Sequence, residues 1–371
     1  MFNPIYFTDV NPLTKNEDKK ILKEINLTIQ KKDFKLGKAV QSFEKKFSKL
    51  AKMKYSIGCA SGTDALLLTL KSLNLKKNDE VIVPGLTYIS TGLSVILNNT
   101  KLVLVDIDDE TGLIAIDKLK NKITKKTKAI IPVNLYGQKV DLYKLKRAVG
   151  KKIYIIEDSA QSHFAFNGNS KNVKQNKLSE ASCYSFYPAK NLGAYGDGGL
   201  ITTDKKVLYK KLLALRNLGS LKKNRHFLLG LNSRLDAIQA VVLKSKLNSI
   251  LSLNDKRRKV AKFYDKSLDS IKEIKLTRTN SGSSRHLYVI RTKNRDKLIK
   301  YLAKKNIFCQ IHYPYSLNKL GAFKNKIKNT KLKNSELWAK ECLSLPLQPN
   351  LSKKEASRVV EEIKKFFKII R

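Results

Sequence analysis

Apolar residues along this chain alternate between two patterns. Short continuous runs rich in Ile, Val and Leu occur at 55–59, 80–84, 101–106, 129–135, 153–157, 181–187 and 199–203. Between many of these runs apolar residues recur at helical spacing, as at Ile21, Ile25 and Ile29, and again at Val40, Phe43, Phe47 and Leu50. Continuous β-branched runs with helical segments between them are expected of parallel strands covered on both faces. The spacing predicts helices within 13–52, at 65–73, up to 97, at 205–215 and at 234–246. Residues 217–232 form a polar, glycine-containing excursion between the last two.

From about residue 251 the pattern changes. A long helix over 254–270 leads into strands near Lys275 and at 286–292, a helix at 295–304, a strand at 308–312 and a closing helix at 353–367. This shift predicts a large α/β domain over 1–250 and a smaller α+β domain over 251–371.

Sites in open parallel sheets form at the carboxyl ends of the strands. Tyr88, Asp158, Gln161, Ser185 and Lys190 all fall at or just beyond such ends. Lys190 follows the run 181–187 and Pro188, and is hemmed in by aromatics and by Gly193, Gly196, Gly198 and Gly199. Most other lysines stand in polar runs. A partly desolvated lysine amine loses its proton more readily and can attack a carbonyl to form a Schiff base. Asp158 reads either as a helix cap or as a buried carboxylate facing a cationic ring nitrogen. Ser61, Gly62, Thr63 and Asp64 lie where a helix begins, which suits either an ordinary N-cap or a phosphate cradle.

Composition narrows the class. The chain has 371 residues, 42% of them hydrophobic, enough for two domains and a large core. No apolar run is long enough to span a bilayer, and no secretory signal is expected from the first residues. Cys59, Cys183, Cys309 and Cys342 are far apart, so neither a zinc site nor a disulfide framework is expected, and reduced thiols suit a cytoplasmic enzyme. The net charge of +44 suggests nucleic acid at first. However, the excess is spread along the chain, and only twelve of its 75 basic residues are arginine. A general positive field that helps capture anionic small molecules is the expectation instead.

The motifs, taken in order, are Phe43-Glu44, Ser61-Gly62-Thr63-Asp64-Ala65-Leu66, Thr87-Tyr88 and Glu157-Asp158-Ser159-Ala160-Gln161. They continue with 185–193, Gly196-Asp197-Gly198-Gly199, Leu215-Arg216-Asn217, 230–236 and His312-Tyr313-Pro314. With this order and spacing the chain resembles the DegT/DnrJ-type nucleotide-sugar aminotransferases over nearly its whole length. The resemblance implies an aspartate-aminotransferase-like fold, with a mostly parallel seven-stranded sheet covered by helices, and pyridoxal 5'-phosphate as cofactor.

It further implies that Lys190 holds the cofactor covalently and then moves a proton. Asp158 would pair with the pyridine nitrogen, Gln161 with the ring hydroxyl, and Tyr88 would stack on the ring. Gly62, Thr63 and Ser185 would cradle the phosphate. Asn232 would reach that phosphate from a second subunit, making a homodimer with shared active sites. His163, His312 and Tyr313 would contact the sugar. Glutamate would donate the amine, and a nucleoside-diphosphate-linked keto-sugar would accept it. The form Asn232-Ser233-Arg234-Leu235-Asp236 leans towards amination at carbon 3 rather than carbon 4. The resemblance also covers a dehydratase with histidine at the Lys190 position; here the lysine favours amino transfer. A sugar dehydratase or a non-catalytic regulator on the same fold is the alternative. The family often has a histidine shortly after His312-Tyr313-Pro314; here the stretch reads Tyr315-Ser316-Leu317-Asn318, which leaves the sugar nucleotide open.

Overall fold

A computed structural model describes residues 3–166, 177–222, 224–327 and 330–370. Seven strands form the central sheet: β1 (Tyr55–Cys59), β2 (Glu80–Pro84), β3 (Lys101–Val105), β4 (Thr127–Ile130), β5 (Tyr154–Asp158), β6 (Ala181–Ser185) and β7 (Gly199–Thr203). Their spatial order is β1-β7-β6-β5-β4-β2-β3. The pairings among β2, β3, β4, β5 and β6 are parallel. Strand β7 runs antiparallel to both its neighbours, β1 and β6. The sheet is therefore mostly parallel, and the one reversed strand was not marked in the apolar pattern, because burial on both faces gives the same continuous run in either direction.

Helices α1 (Lys15–Gln30), α2 (Lys38–Ala51), α3 (Gly62–Ser72), α4 (Ile89–Leu97), α5 (Leu142–Val149), α6 (Lys206–Leu215) and α7 (Ala237–Lys246) accompany the sheet. Helix α3 packs against β6 and β7 through Leu66, Leu68 and Leu70, all buried. The excursion at 217–232 carries a small hairpin of β8 (Ser220–Lys222) and β9 (Arg225–His226); Lys223 lies outside the described residues.

The second unit holds α8 (Ile250–Leu268), β10 (Lys275–Leu276), β11 (Tyr288–Arg291), α9 (Arg295–Lys304), α10 (Lys333–Glu341), β12 (Cys342–Leu345) and α11 (Lys353–Ile369). Its strands form an antiparallel sheet, β10-β11-β12. A single cut at 250 separates the sheets but not the cores. Ile5 packs into the second core, and Leu317, Phe323 and Leu332 pack into the first. Trp338, fully buried, stacks on Tyr136 of the large unit and carries the Arg291 guanidinium 4.6 Å over its ring.

Three expected strands are corrected. The run 129–135 pairs only as Thr127–Ile130, followed by one isolated bridge from Val133 to Asp158. Pro132 has no N–H to offer the ladder, and Tyr136 then turns the chain at φ +59°. The run 181–187 stops at Ser185, where Phe186 bonds back to Gly198 and the chain turns towards Lys190. Residues 308–312 form no strand; Gln310 makes one isolated bridge to Ser344. That partner lies in β12, which the sequence reading did not anticipate.

Candidate active site

Strand β5 ends in two adjacent acids that face opposite ways, as the period of a strand requires. The Glu157 carboxylate is fully buried and accepts from Lys139, from Asn134 Nδ2 at 3.0 Å and from Ser182 Oγ at 2.8 Å. Burial pushes its pKa up, but Lys139 and these donors outweigh that and hold it below the usual range. It is a structural charge.

Asp158 faces the other side. Its Oδ2 accepts from Thr91 Oγ1 at 2.8 Å and its Oδ1 from the Ala160 N–H at 3.1 Å. Thr87 Oγ1 lies 2.9 Å from Thr91 Oγ1. Because Thr91 already gives its proton to Asp158, Thr87 is the donor in that second bond. Burial raises the Asp158 pKa, against the pull of Thr91, Ala160 and the charge of Lys190. No arginine or lysine forms an ion pair with Asp158 among the described residues. A buried carboxylate held by two donors and short of a cation fits a protonated ring nitrogen.

Lys190 shares a cavity of about 610 Å³ with Asp158. Its side chain is half-buried, and its pKa falls to about 8 through loss of hydration, with Asp158 opposing the fall. The turn that carries it is braced from behind. Lys246 Nζ donates to the Gly193 carbonyl at 2.9 Å and lies 4.3 Å over the Tyr195 ring. The next residue, Asn191, donates from Nδ2 to the Ser284 carbonyl at 2.9 Å and to Asn254 Oδ1 at 2.8 Å.

The start of α3 forms another wall. Ser61 caps the helix by accepting from the Asp64 N–H at 3.1 Å. Gly62 comes so close to β6 that a Cβ there would stand 2.6 Å from Ser185 Cβ. Thr63 Oγ1 lies 2.7 Å from Ser90 Oγ, and Ser185 Oγ also lines the cavity. Free N–H groups at a helix start, three hydroxyls and no side chain at residue 62 make a cradle suited to a phosphate.

Gln161 is held at both ends. Its Oε1 accepts from the Tyr136 N–H at 2.7 Å and its Nε2 donates to the Tyr313 hydroxyl at 2.8 Å. Tyr88, more than half exposed, stands at the cavity with its ring 5.7 Å from that of Tyr313. His312 lines the same cavity, with Nδ1 2.9 Å from Ser344 Oγ; burial lowers its pKa to about 4.

The structure therefore brings together Gly62, Thr63, Tyr88, Asp158, Gln161, Ser185, Lys190, His312 and Tyr313. Two expected residues are placed elsewhere. His163 is wholly buried between the rings of Tyr184 and Phe186 and lines no part of this cavity, so its position does not support sugar contact. Burial pushes its pKa down to about 3, and its ring packs as an aromatic. Asn232 is exposed, outside the cavity wall formed by its own chain. Ser90, Thr91 and His286 were missed, and Thr87 was named only as part of a motif, with no role. Thr91 and Ser90 sit on a short apolar helix, where a lone hydroxyl carries no signal of its partner.

Comparison with known proteins agrees with this geometry. The dTDP-3-amino-3,6-dideoxy-alpha-D-galactopyranose transaminase of Aneurinibacillus thermoaerophilus is 39% identical over 368 residues, spanning 98% of this chain and 99% of its own. The UDP-N-acetyl-3-dehydro-alpha-D-glucosamine 3-aminotransferase of Acidithiobacillus ferrooxidans is 35% identical over 93% of both chains. Among solved structures, DesV of S. venezuelae superimposes with a TM-score of 0.94 at 31% identity, over 99% of both chains. Fold and site together define a pyridoxal-phosphate-dependent aminotransferase. The match of residues 15–364 to the family model is more specific: the chain belongs to the DegT/DnrJ/EryC1/StrS aminotransferase family.

Proposed function

We propose that this enzyme moves an amino group from glutamate to the keto carbon of a sugar carried on a nucleoside diphosphate, with carbon 3 favoured over carbon 4. The observation that carries the reading is the meeting, in one cavity, of the Lys190 amine, the Asp158 carboxylate and the start of α3. The two relatives named above are both transaminases of nucleotide-linked sugars by name, which supports the substrate class.

Pyridoxal phosphate, when bound, supplies a reversible carbonyl anchor for amines and a ring that accepts electrons. The chain's own residues do the rest. Lys190, with its pKa near 8, can exist as a neutral amine close to physiological pH. It can anchor the cofactor and then carry a proton at the reacting carbon. Asp158, fixed by Thr91 and Ala160, would hold a positive charge on the ring nitrogen. The amide of Gln161 is oriented by Tyr136 and Tyr313 to meet the ring hydroxyl. Gly62, Thr63, Ser90 and Ser185 would bind the phosphate, and Tyr88 would cover the ring face.

A homodimer is part of this reading. Asn232 is exposed and stands beside Ser233, whose hydroxyl donates to Asp64 at the start of α3 at 2.8 Å. The adjoining hairpin region exposes Leu221, Phe227 and Leu229, the last 87% exposed. Exposed apolar clusters of this kind suit contact with a second copy, from which Asn232 would reach the partner's phosphate cradle.

The test is to load the protein with cofactor, add glutamate and measure 2-oxoglutarate, then screen dTDP-, UDP- and GDP-linked keto-sugars by mass. Stoichiometric 2-oxoglutarate and a product with the mass of an amino sugar are expected. Absence of the corresponding 2-oxo acid from every amino donor tried would favour dehydration or a non-catalytic role.

A further inference from the structure

We infer that His286 is a substrate-positioning residue: its Nε2 accepts a hydrogen bond from a sugar hydroxyl, and Asn191 fixes the ring so that it can. The inference rests on the aminotransferase reading above and adds a residue to it.

The tautomer follows from the hydrogen bonds. Asn191 donates from Nδ2 to the Ser284 carbonyl at 2.9 Å. A carbonyl oxygen can only accept, so this end of the amide must be the nitrogen. The other end, Oδ1, then faces His286 Nδ1 at 3.0 Å. An amide oxygen can only accept, so the proton sits on Nδ1. In the neutral ring this leaves Nε2 as a bare acceptor.

That acceptor is left for a ligand. His286 is 7% exposed, and among the described residues Nε2 has no protein partner. It is not among the sealed polar atoms, and the residue forms part of the cavity wall together with Lys190 and Asp158. Burial, then the charge of Lys190, holds the imidazole well below its ordinary pKa, so it stays neutral. The backbone is fixed as well: the His286 N–H donates to the Tyr136 carbonyl at 3.0 Å, and Tyr136 in turn orients Gln161.

The chemistry of the two substrates decides which one uses it. A buried acceptor left unpaired on binding costs free energy, so it selects a ligand that brings a donor. Apart from its reacting amine, glutamate brings two carboxylates, which are acceptors themselves. A hexose brings hydroxyl donors. The residue should therefore act on the sugar half of the reaction and spare the glutamate half.

Two variants of the holoenzyme test this. His286→Asn retains an amide N–H that can meet Asn191 Oδ1 and removes the atom at Nε2. His286→Gln can return an acceptor near that position. Each half-reaction is followed by cofactor absorbance, one with glutamate and one, in reverse, with dTDP-3-amino-3,6-dideoxygalactose and with UDP- and GDP-linked 3- and 4-amino sugars. For whichever amino sugar the wild type accepts, His286→Asn should raise its apparent KM about tenfold and leave that of glutamate within twofold. His286→Gln should restore part of the loss. Equal losses in both halves, or no loss in the sugar half by a variant that melts like wild type, would overturn the inference. Nitrogen-15 spectra of the histidine rings give an independent check, since a proton on Nε2 would also overturn it. A wild type inert to glutamate and to every amino sugar would instead overturn the aminotransferase reading on which the inference rests.

Discussion

Thr91 Oγ1 stands 2.8 Å from Asp158 Oδ2, and both groups are buried. The hydroxyl is on α4 and the carboxylate at the end of β5, so the bond ties a helix to the strand end where the chemistry is expected. Hydrogen bonds to charged groups contribute about 1.5–3 kcal/mol. Thr91→Val keeps the shape and removes the donor. Its kcat/KM should fall at least about tenfold. The fold should be retained, and a melting curve beside the kinetics checks both points.

Removing either principal group should have a different signature. Lys190→Ala should abolish the absorbance of the lysine-linked cofactor and all turnover while the fold survives. Asp158→Asn should keep the cofactor bound but lose most of the rate, because the amide cannot hold the ring nitrogen protonated. Titrating cofactor into each variant, followed by single-turnover kinetics, separates the two effects. Normal turnover by Lys190→Ala would remove the lysine from the mechanism.

The depressed pKa of Lys190 sets a pH dependence for the protein without cofactor. The folded state releases this proton near pH 8, whereas an ordinary lysine does so near 10.5. Between these values the unfolded chain binds more protons, so this group's contribution to stability rises with pH. Below pH 8 its full destabilising effect is present. Lys190→Met should therefore melt higher than wild type at pH 7, with the gap narrowing towards pH 10. The rate of cofactor attachment to wild type should climb about tenfold per pH unit below 8 and level off above it.

Gly62 is needed for a close approach rather than for an unusual backbone angle. A methyl group there would stand 2.6 Å from Ser185 Cβ, well inside contact distance. Gly62→Ala should push the start of α3 off β6 and weaken cofactor binding at least about tenfold. Ala65→Gly, one turn further on and outside the cavity wall, loosens the same helix and its core packing without the clash at Ser185. Equilibrium dialysis of the cofactor against both variants distinguishes them.

The pair Glu44 and Arg216 is buried and joins three elements. Arg216 donates to Glu44 and to the Gly58 carbonyl, and Glu44 also accepts from the Gly58 N–H. Removing one partner of a buried pair costs about 3–5 kcal/mol, because the other charge is left unpaired. Arg216→Met should lose about that much stability by urea denaturation, while Arg216→Met with Glu44→Leu should recover part of it.

Much of this arrangement could be read from the residues. The strands β1, β2 and β7 match their apolar runs end for end, because each run is bounded by polar or turn-forming residues. That Lys190, Asp158 and Gln161 share one cavity could be anticipated because they follow such runs at strand ends. What could not be read depends on contacts between distant segments. Thr91 is one hydroxyl on a helix, and only the fold places it against a residue 67 positions away. His286 and Asn191 are 95 positions apart and belong to different units. His163 shows the reverse case: the resemblance implied sugar contact, but the chain turns it inwards onto Tyr184 and Phe186.

The first residues of the chain show how little of this molecule can be trimmed. Ile5 plugs the core of the second unit, while Phe7, Thr8 and Val10, two to five positions on, form part of the wall of the cavity around Lys190. One peptide thus serves as both stopper and lining. Shortening the amino terminus by ten residues would leave a hole in the core of the second unit and open the cavity around Lys190 in the same stroke.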